Sequence, residues 1–458
     1  MNIRAKQALL PTGWVRNAIV EILNNGKIGG VLVEEDIQSK VEVAYDVPIL
    51  LAAPVNVHSH AFQRSMAGLA EQRGPDPKDT FWTWRRLMFR FLDRLTPDHI
   101  EAITAFVQME MLEAGYATNV EFHYLHHQPG GAGYTNLAEM SERVAAAALK
   151  SKIGLTLLPV HYEYGGCDQR PLEQGQIRFG NDLDRFATLF DGAIRVMGEL
   201  PADCTIGVAP HSLRASHPDT LPKLIELADH NPIHMHLAEQ QAEVSEVLTA
   251  WGRRPVEWLL ENVDVDERWC LIHCTQMMPL ETIGLAKTGA VAGLCPITEA
   301  NLGDGIFDGL RWLDNNGGVA VGSDSNIRIS LSEELRMLDY SQRLRDHSRA
   351  ALALADKSTG RRLFDCILAG GAQAAGRNSG RIESGAWADL LALDGDDVNL
   401  RERTGDTILD CFIFAGDDRL VKDVWAAGRH VVQDGTHIAR DAISRRYANT
   451  MAELAEAM

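Results

Sequence analysis

Between residues 54 and 324 this chain repeats one pattern, in which short apolar runs alternate with segments of helical periodicity, and no other feature restricts its fold as much. The runs fall at residues 54–60, 118–124, 153–161, 205–211, 232–237, 269–273, 290–296 and 318–324. Short apolar runs without polar alternation read as strands covered on both faces, and strands separated by helices form a parallel sheet. From His60 to Asp324 the seven steps average about 38 residues, above the roughly 30 that a strand–helix–strand crossover needs. The expected fold is α/β, with a (β/α)8 TIM-like barrel over residues 54–378. One intervening helix shows both ends: Thr96 as N-cap, Pro97 in the first turn, Ile100, Ile103, Val107 and Met111 at helical spacing, and Gly115 as the stop.

The chain ends have a different texture. Residues 14–23 and 28–33 flank Asn24-Asn25-Gly26-Lys27, a hairpin sequence, and strand-like runs return at 388–393, 408–414 and 420–432 before an amphipathic segment at 441–458. With 44 basic against 63 acidic residues, the net charge of −19 is spread along the chain, which argues against a nucleic-acid or anionic-membrane partner. No apolar run approaches a membrane span, and Ala8-Leu9-Leu10 is too short for a signal segment, so the expected compartment is the cytoplasm. Seven scattered cysteines read as reduced thiols; Cys270 and Cys274 have three residues between them, not the two of a zinc or redox pair.

Polar residues collect at the C-terminal ends of the expected strands: His58, His60, Tyr124, His161, His211, His236, His273 and Asp324. In such a barrel that edge carries the chemistry. His58 and His60 share a strand face, and with His236 and Asp324 they offer three nitrogens and one carboxylate oxygen. That set suits Zn2+ with one position open for water, although iron or manganese could take the same ligands. Glu239, three residues past His236, is placed either to protonate a substrate nitrogen or merely to favour a helix N-terminus. His273 is either the acceptor of a proton from the attacking water or a further ligand. The aromatic cluster Phe81, Trp82, Trp84 and Phe89 reads as packing.

Together these residues resemble the metal-dependent amidohydrolases, which carry a His-x-His after strand one, histidines on strands five and six, and an aspartate on strand eight. Residues 380–390, Gly-Arg-Ile-Glu-Ser-Gly-Ala-Trp-Ala-Asp-Leu, resemble the stretch that leads those barrels back to a small β-sandwich built from both chain ends. The resemblance thus covers essentially the whole chain and implies a sandwich from residues 1–53 and 379–458, the latter including a terminal helix. Many members hold two metals through a carboxylated lysine at the end of strand four. Here that strand ends Ala209-Pro210-His211, which favours one zinc per chain.

Within the superfamily, five segments resemble the formimidoylglutamate deiminase family of bacterial histidine degradation: 58–64 (His-Ser-His-Ala-Phe-Gln-Arg), 81–85 (Phe-Trp-Thr-Trp-Arg), 121–124 (Glu-Phe-His-Tyr), 209–214 (Ala-Pro-His-Ser-Leu-Arg) and 236–240 (His-Leu-Ala-Glu-Gln). The resemblance implies that Gln63, Arg85, Tyr124, His211 and Arg214 hold the glutamyl part of an anionic amino-acid substrate. A dicarboxylate independently calls for guanidinium donors, though Arg85 could equally stack on Trp82. It further implies a homodimer and hydrolysis of N-formimidoyl-L-glutamate to N-formyl-L-glutamate and ammonia. His273 with Asp324 would take the water's proton and Glu239 would protonate the departing nitrogen. Two rivals are a heterocycle deaminase, which would want stacking and amide contacts instead of two arginines, and a non-catalytic scaffold, which would have shed its ligands.

Overall fold

Each interior apolar run contributes a strand in a computed structural model that describes residues 1–33, 41–69, 71, 88–89 and 91–457. The strands are Val55–Ser59, Thr118–His123, Gly154–His161, Ile233–Leu237, Trp269–His273, Val291–Leu294 and Gly318–Val321, with the fourth run split into Thr205–Ile206 and Ala209–Pro210. Burial on both faces explains why these runs lack polar alternation. Helix Pro97–Glu113 has the ends its sequence implies: Thr96 Oγ1 accepts the His99 N–H at 3.3 Å, and Ile100, Ile103, Val107 and Met111 are buried.

The strands pair in parallel as two sheets. Thr118 lies opposite both Val55 and Gly154, and Thr156 opposite Thr205; in the second sheet Ile233 lies opposite Trp269, and Val291 opposite both Cys270 and Gly318. Two parallel bridges join the sheets at their edges, Val208 to Ile233 and Ser59 to Asp324. At the second bridge the His60 N–H donates to the Asp324 carbonyl and the Asp324 N–H to the His58 carbonyl, both at 2.9 Å. Gly322 permits this approach, since a Cβ there would stand 2.6 Å from the His58 nitrogen. Residues more than 250 positions apart in sequence thereby share one edge.

The two chain ends meet in a single eight-stranded sheet, ordered Thr436–His437, Arg429–Gln433, Val421–Ala426, Leu390–Leu393, Tyr45–Ala52, Asn2–Leu10, Gly13–Ile22 and Ile28–Leu32. Leu51 opposite Leu391 joins the amino-terminal part to the carboxyl-terminal part, and the hairpin about residues 24–27 is present. Strand Asn2–Leu10 was not among the expected elements, yet it pairs on both edges. The strand texture expected at 408–414 is not met: helix Asp406–Asp410 runs into a π-helical turn, Cys411–Ala415. Ile408, Leu409, Phe412 and Ile413 are buried, and spacings of one, four and five residues are a helical stripe that mimics a strand in composition. The terminal helix Arg440–Ala457 packs back on Pro97–Glu113, with Tyr447 stacked on Phe106 at 4.0 Å. Among the described residues no helix is long and apolar enough to cross a membrane, and the seven cysteines are free thiols.

Arg377 is buried where the chain passes from the interior strands and helices into this sheet. Its guanidinium pairs with Asp389 at 2.7 Å and Asp203 at 3.1 Å, and Asp203 pairs with the half-exposed Arg429 at 2.7 Å. Two cations thus balance two carboxylates, and removing a buried partner strands the remaining charge. Arg377→Met should lower the urea midpoint by the equivalent of about 3–5 kcal/mol. Arg429→Met should lower it less, because water reaches that guanidinium. Urea titrations of both variants check this, and equal losses would show that Arg377 is not the centre of the network.

Candidate active site

Strand alternation sets His58 and His60 on one face at the end of the first strand, the Ser59–Asp324 bridge brings Asp324 beside them, and the fifth strand adds His236. The three Nε2 atoms lie 3.1–3.3 Å apart, and Asp324 Oδ1 is 3.3 Å from His60 Nε2 and 3.5 Å from His58 Nε2. His60 Nδ1 donates to the Phe122 carbonyl and His236 Nδ1 to the His211 carbonyl, each at 3.0 Å. A carbonyl only accepts, so these Nδ1 atoms carry the proton and each Nε2 turns its lone pair inward. Burial holds all three imidazoles below their usual range, in the neutral form a metal requires. The lone pairs of His60 and His236 face each other at 3.3 Å, an arrangement a cation satisfies, and three imidazole nitrogens with one carboxylate form a zinc-type donor set. His273, Cys295 and Asp324 also converge, but burial drives the Cys295 thiol far above its usual range and away from the thiolate a metal takes.

Beyond this cluster stand the groups able to move protons. His273 ends the sixth strand with φ +71°, and Ala238 and Asp324 share the left-handed region at +50° and +47°. Non-glycine residues there cost of order 1–3 kcal/mol each, and here they mark the turns where strands hand over to the loops of the site. His273 Nε2 is 3.8 Å from Asp324 Oδ2 and 3.9 Å from Glu239 Oε1. Burial pulls the His273 pKa down, but the charges of Glu239 and Asp324 and the hydrogen bond that His273 donates to Glu299 outweigh it and raise it to about 10. Burial pushes the Glu239 carboxyl up, and Glu243 pins its turn by accepting the Ala238 and Glu239 N–H groups at 3.0 and 3.1 Å. Asp304, bonded to the Gln240 amide, is raised to about 9 by burial and the nearby Glu239 charge. Glu121 braces the turn after His60 by accepting the Ala61 N–H at 2.7 Å, and burial raises it to about 7.

Gln63, Tyr124, His211 and Arg214 line the same cavity as His236, Glu239, His273 and Asp324. Gln63 Nε2 donates to the Tyr124 hydroxyl at 2.8 Å. Arg214 Nε is buried without a hydrogen-bond partner among the described residues, an unused donor beside the cavity. Arg85 lies outside the described residues, as do Phe81, Trp82 and Trp84. His161 does not line the cavity: its Nδ1 pairs with Ser216 Oγ at 2.9 Å behind the wall. Tyr162, Phe179 and Met88 do line it, and sequence reasoning had not singled them out. Tyr162 carried the usable signal of sitting one residue past the third strand, whereas Phe179 arrives from a distant turn. A roomier groove beside Leu10 holds Lys357, Arg361 and Arg381, but these pair with Asp365 and Glu383 at 2.7–2.9 Å, so the groove presents no unpaired charge.

A model of the amidohydrolase family matches residues 49–431. The chain is 45% identical over 455 residues to a formimidoylglutamate deiminase of Pseudomonas aeruginosa, covering 99% of each sequence. The crystal structure of an amidohydrolase from Brucella melitensis superposes with a TM-score of 0.93 at 43% identity, covering 99% of both chains. An adenosine deaminase from Xanthomonas campestris, solved with bound zinc, shares the fold at a TM-score of 0.83 and 20% identity, covering 99% of this chain and 98% of that one.

The convergent donors make metal retention a direct test of the geometry. His236→Ala should leave the purified protein with at most a tenth of the wild-type divalent metal after gel filtration, because three donors with one fewer imidazole bind far more weakly. Elemental analysis decides it, and undiminished metal in this variant would place the ion elsewhere.

Proposed function

The chain belongs to the amidohydrolase family, and on that premise we propose that it hydrolyses the carbon–nitrogen bond of N-formimidoyl-L-glutamate, giving N-formyl-L-glutamate and ammonia in histidine degradation. The observation that carries the reading is the buried Arg214 Nε, without a hydrogen-bond partner among the described residues, in the cavity that holds the ligand cluster. A guanidinium donor calls for a carboxylate, which a neutral heterocycle does not offer. The formimidoylglutamate deiminase relative, similar over nearly the whole chain, points to the same substrate.

In this reading the two bridged parallel sheets are one (β/α)8 barrel over residues 54–378, with its C-terminal strand ends opening on the site. In the same reading the single eight-stranded sheet shared by residues 1–53 and 379–458 is the counterpart of the family's small β-sandwich domain, with the terminal helix attached. One zinc per chain is favoured because no lysine ends the fourth run. Homodimeric assembly in the cytoplasm follows from the family resemblance.

His58, His60, His236 and Asp324 would hold a divalent ion, which would supply Lewis-acid chemistry that makes a water easier to deprotonate. His273, with Asp324 beside it, receives the proton of the attacking water at Nε2. Glu239, whose carboxyl burial pushes up, gives a proton to the departing nitrogen. The reacting group is an amidine, so charge changes at nitrogen, and proton delivery takes the place of an oxyanion hole. Gln63, Tyr124, His211, Arg214 and Arg85 hold the glutamyl part.

Ammonia release by the zinc-loaded protein should be seen with formimidoyl-glutamate and be weak or absent with formimidoyl-aspartate, guanine and cytosine; activity confined to the heterocycles would overturn the substrate. Glu239→Gln should keep the metal and lower kcat by roughly 10²- to 10⁴-fold. Wild-type turnover in that variant would remove Glu239 from the mechanism. Arg214→Met should lower kcat/KM by roughly ten- to a hundred-fold, chiefly through KM, since a charge-assisted bond is worth about 1.5–3 kcal/mol. It should also narrow the preference for the full dicarboxylate over an analogue lacking one acid. An unchanged preference would place acid recognition on other residues.

A further inference from the structure

His273 meets the reaction through Nε2, and its other ring nitrogen has a partner of its own. Nδ1 lies 3.2 Å from Glu299 Oε1, with the two side chains 1% and 6% exposed. Glu299 is the fourth residue of the short helix Pro296–Leu302 that follows the seventh strand, and the same Oε1 accepts the Cys295 N–H at 2.8 Å. The next residue back, Thr298, bonds through its hydroxyl to the Ser323 carbonyl at 3.2 Å and the Ser325 hydroxyl at 2.9 Å, the two residues flanking Asp324. The turn that aims Glu299 at His273 is therefore tied to the loop that holds the carboxylate ligand.

A carboxylate accepts, so this contact places the His273 proton on Nδ1 and leaves the Nε2 lone pair toward the cavity in the neutral ring. Other groups face the ring from elsewhere. Glu239 and Asp324 lie on the Nε2 side, the rings of His236 and His58 stand at 5.5 and 6.0 Å, Cys295 converges with Asp324 nearby, and Asp304 is close enough to interact electrostatically with His273. Glu299 is the carboxylate aligned with the Nδ1–H among the described residues.

Taking the deiminase reading as given, we propose that Glu299 is a positioning residue for the reaction. By holding the Nδ1–H it fixes the tautomer and direction of His273, and it stabilises the imidazolium that forms when Nε2 takes the water's proton. It acts wholly through His273 and does not line the cavity. A merely structural glutamate, one that only caps the Cys295 N–H, would have no influence on proton transfer.

The near-isosteric Glu299→Gln keeps an acceptor for the Cys295 N–H while removing the charge. It should retain zinc, keep KM within about threefold and lower kcat by roughly 10- to 10³-fold, as loss of an orienting carboxylate does elsewhere. In a His273→Ala background the same substitution should cost less than twofold, since the residue it acts through is gone. An equal loss in both backgrounds would overturn the proposal. A second measurement requires no folded Glu299 variant: nitrogen-15 NMR of the zinc-loaded wild type, with the His273 signal assigned by its loss in His273→Gln. A proton on Nδ1 supports the proposal and a proton on Nε2 overturns it. Absence of ammonia release by the wild type would instead sink the deiminase reading, and the NMR result would stand apart from it.

Discussion

Three imidazole nitrogens and a carboxylate oxygen held 3.1–3.5 Å apart make a crowded donor set suited to a cation, and much of the architecture serves to impose that crowding. Backbone carbonyls of Phe122 and His211 fix two of the rings from behind, so the lone pairs cannot turn away. The paired 2.9 Å hydrogen bonds at the Ser59–Asp324 bridge bring the last ligand to the first two, and Gly322 leaves room for them. Further out, Arg377 and its carboxylates hold the chain-end sheet to the strand-bearing region, so the edge carrying these ligands does not stand alone.

Histidine serves two purposes here, and surroundings alone separate them. Burial among other imidazoles depresses His58, His60 and His236 and keeps them neutral for a metal. The same burial acts on His273, but three carboxylates face it and raise it. Environments that push like groups apart in pKa are how a site can divide ligand from acid–base work. Burial likewise raises the Glu239 carboxyl beside that histidine.

Much of this was legible in the chain itself, because burial on both faces writes an unbroken apolar run and ligand chemistry restricts residue type. The interior strands fell where the runs did, with edges shifted by up to three residues, and the His-x-His pair followed from strand periodicity. Two segments misled for physical reasons. Residues 408–414 have a strand's composition but a helix's spacing. Asn2–Leu10 alternates buried Ile3 and Ala5 with exposed Arg4 and Lys6, and those charges drew attention to processing signals instead of to an edge-paired strand. His161 shows the limit of the strand-end argument: it sits at a strand end yet bonds to Ser216 and faces away from the cavity.

By itself, then, the sequence determined the parallel α/β pattern, the four residues whose grouping fits a metal site and the carboxylate just beyond the fifth strand, since each depends on residue type and local periodicity. Only the tertiary structure decided which ring nitrogen faces inward, that Arg214 keeps an unused donor beside the cavity, and that Glu299 stands behind His273. Those facts depend on distances between segments far apart in the chain, and a hydrogen bond of 3.2 Å between residues 273 and 299 leaves no periodic trace in the sequence between them.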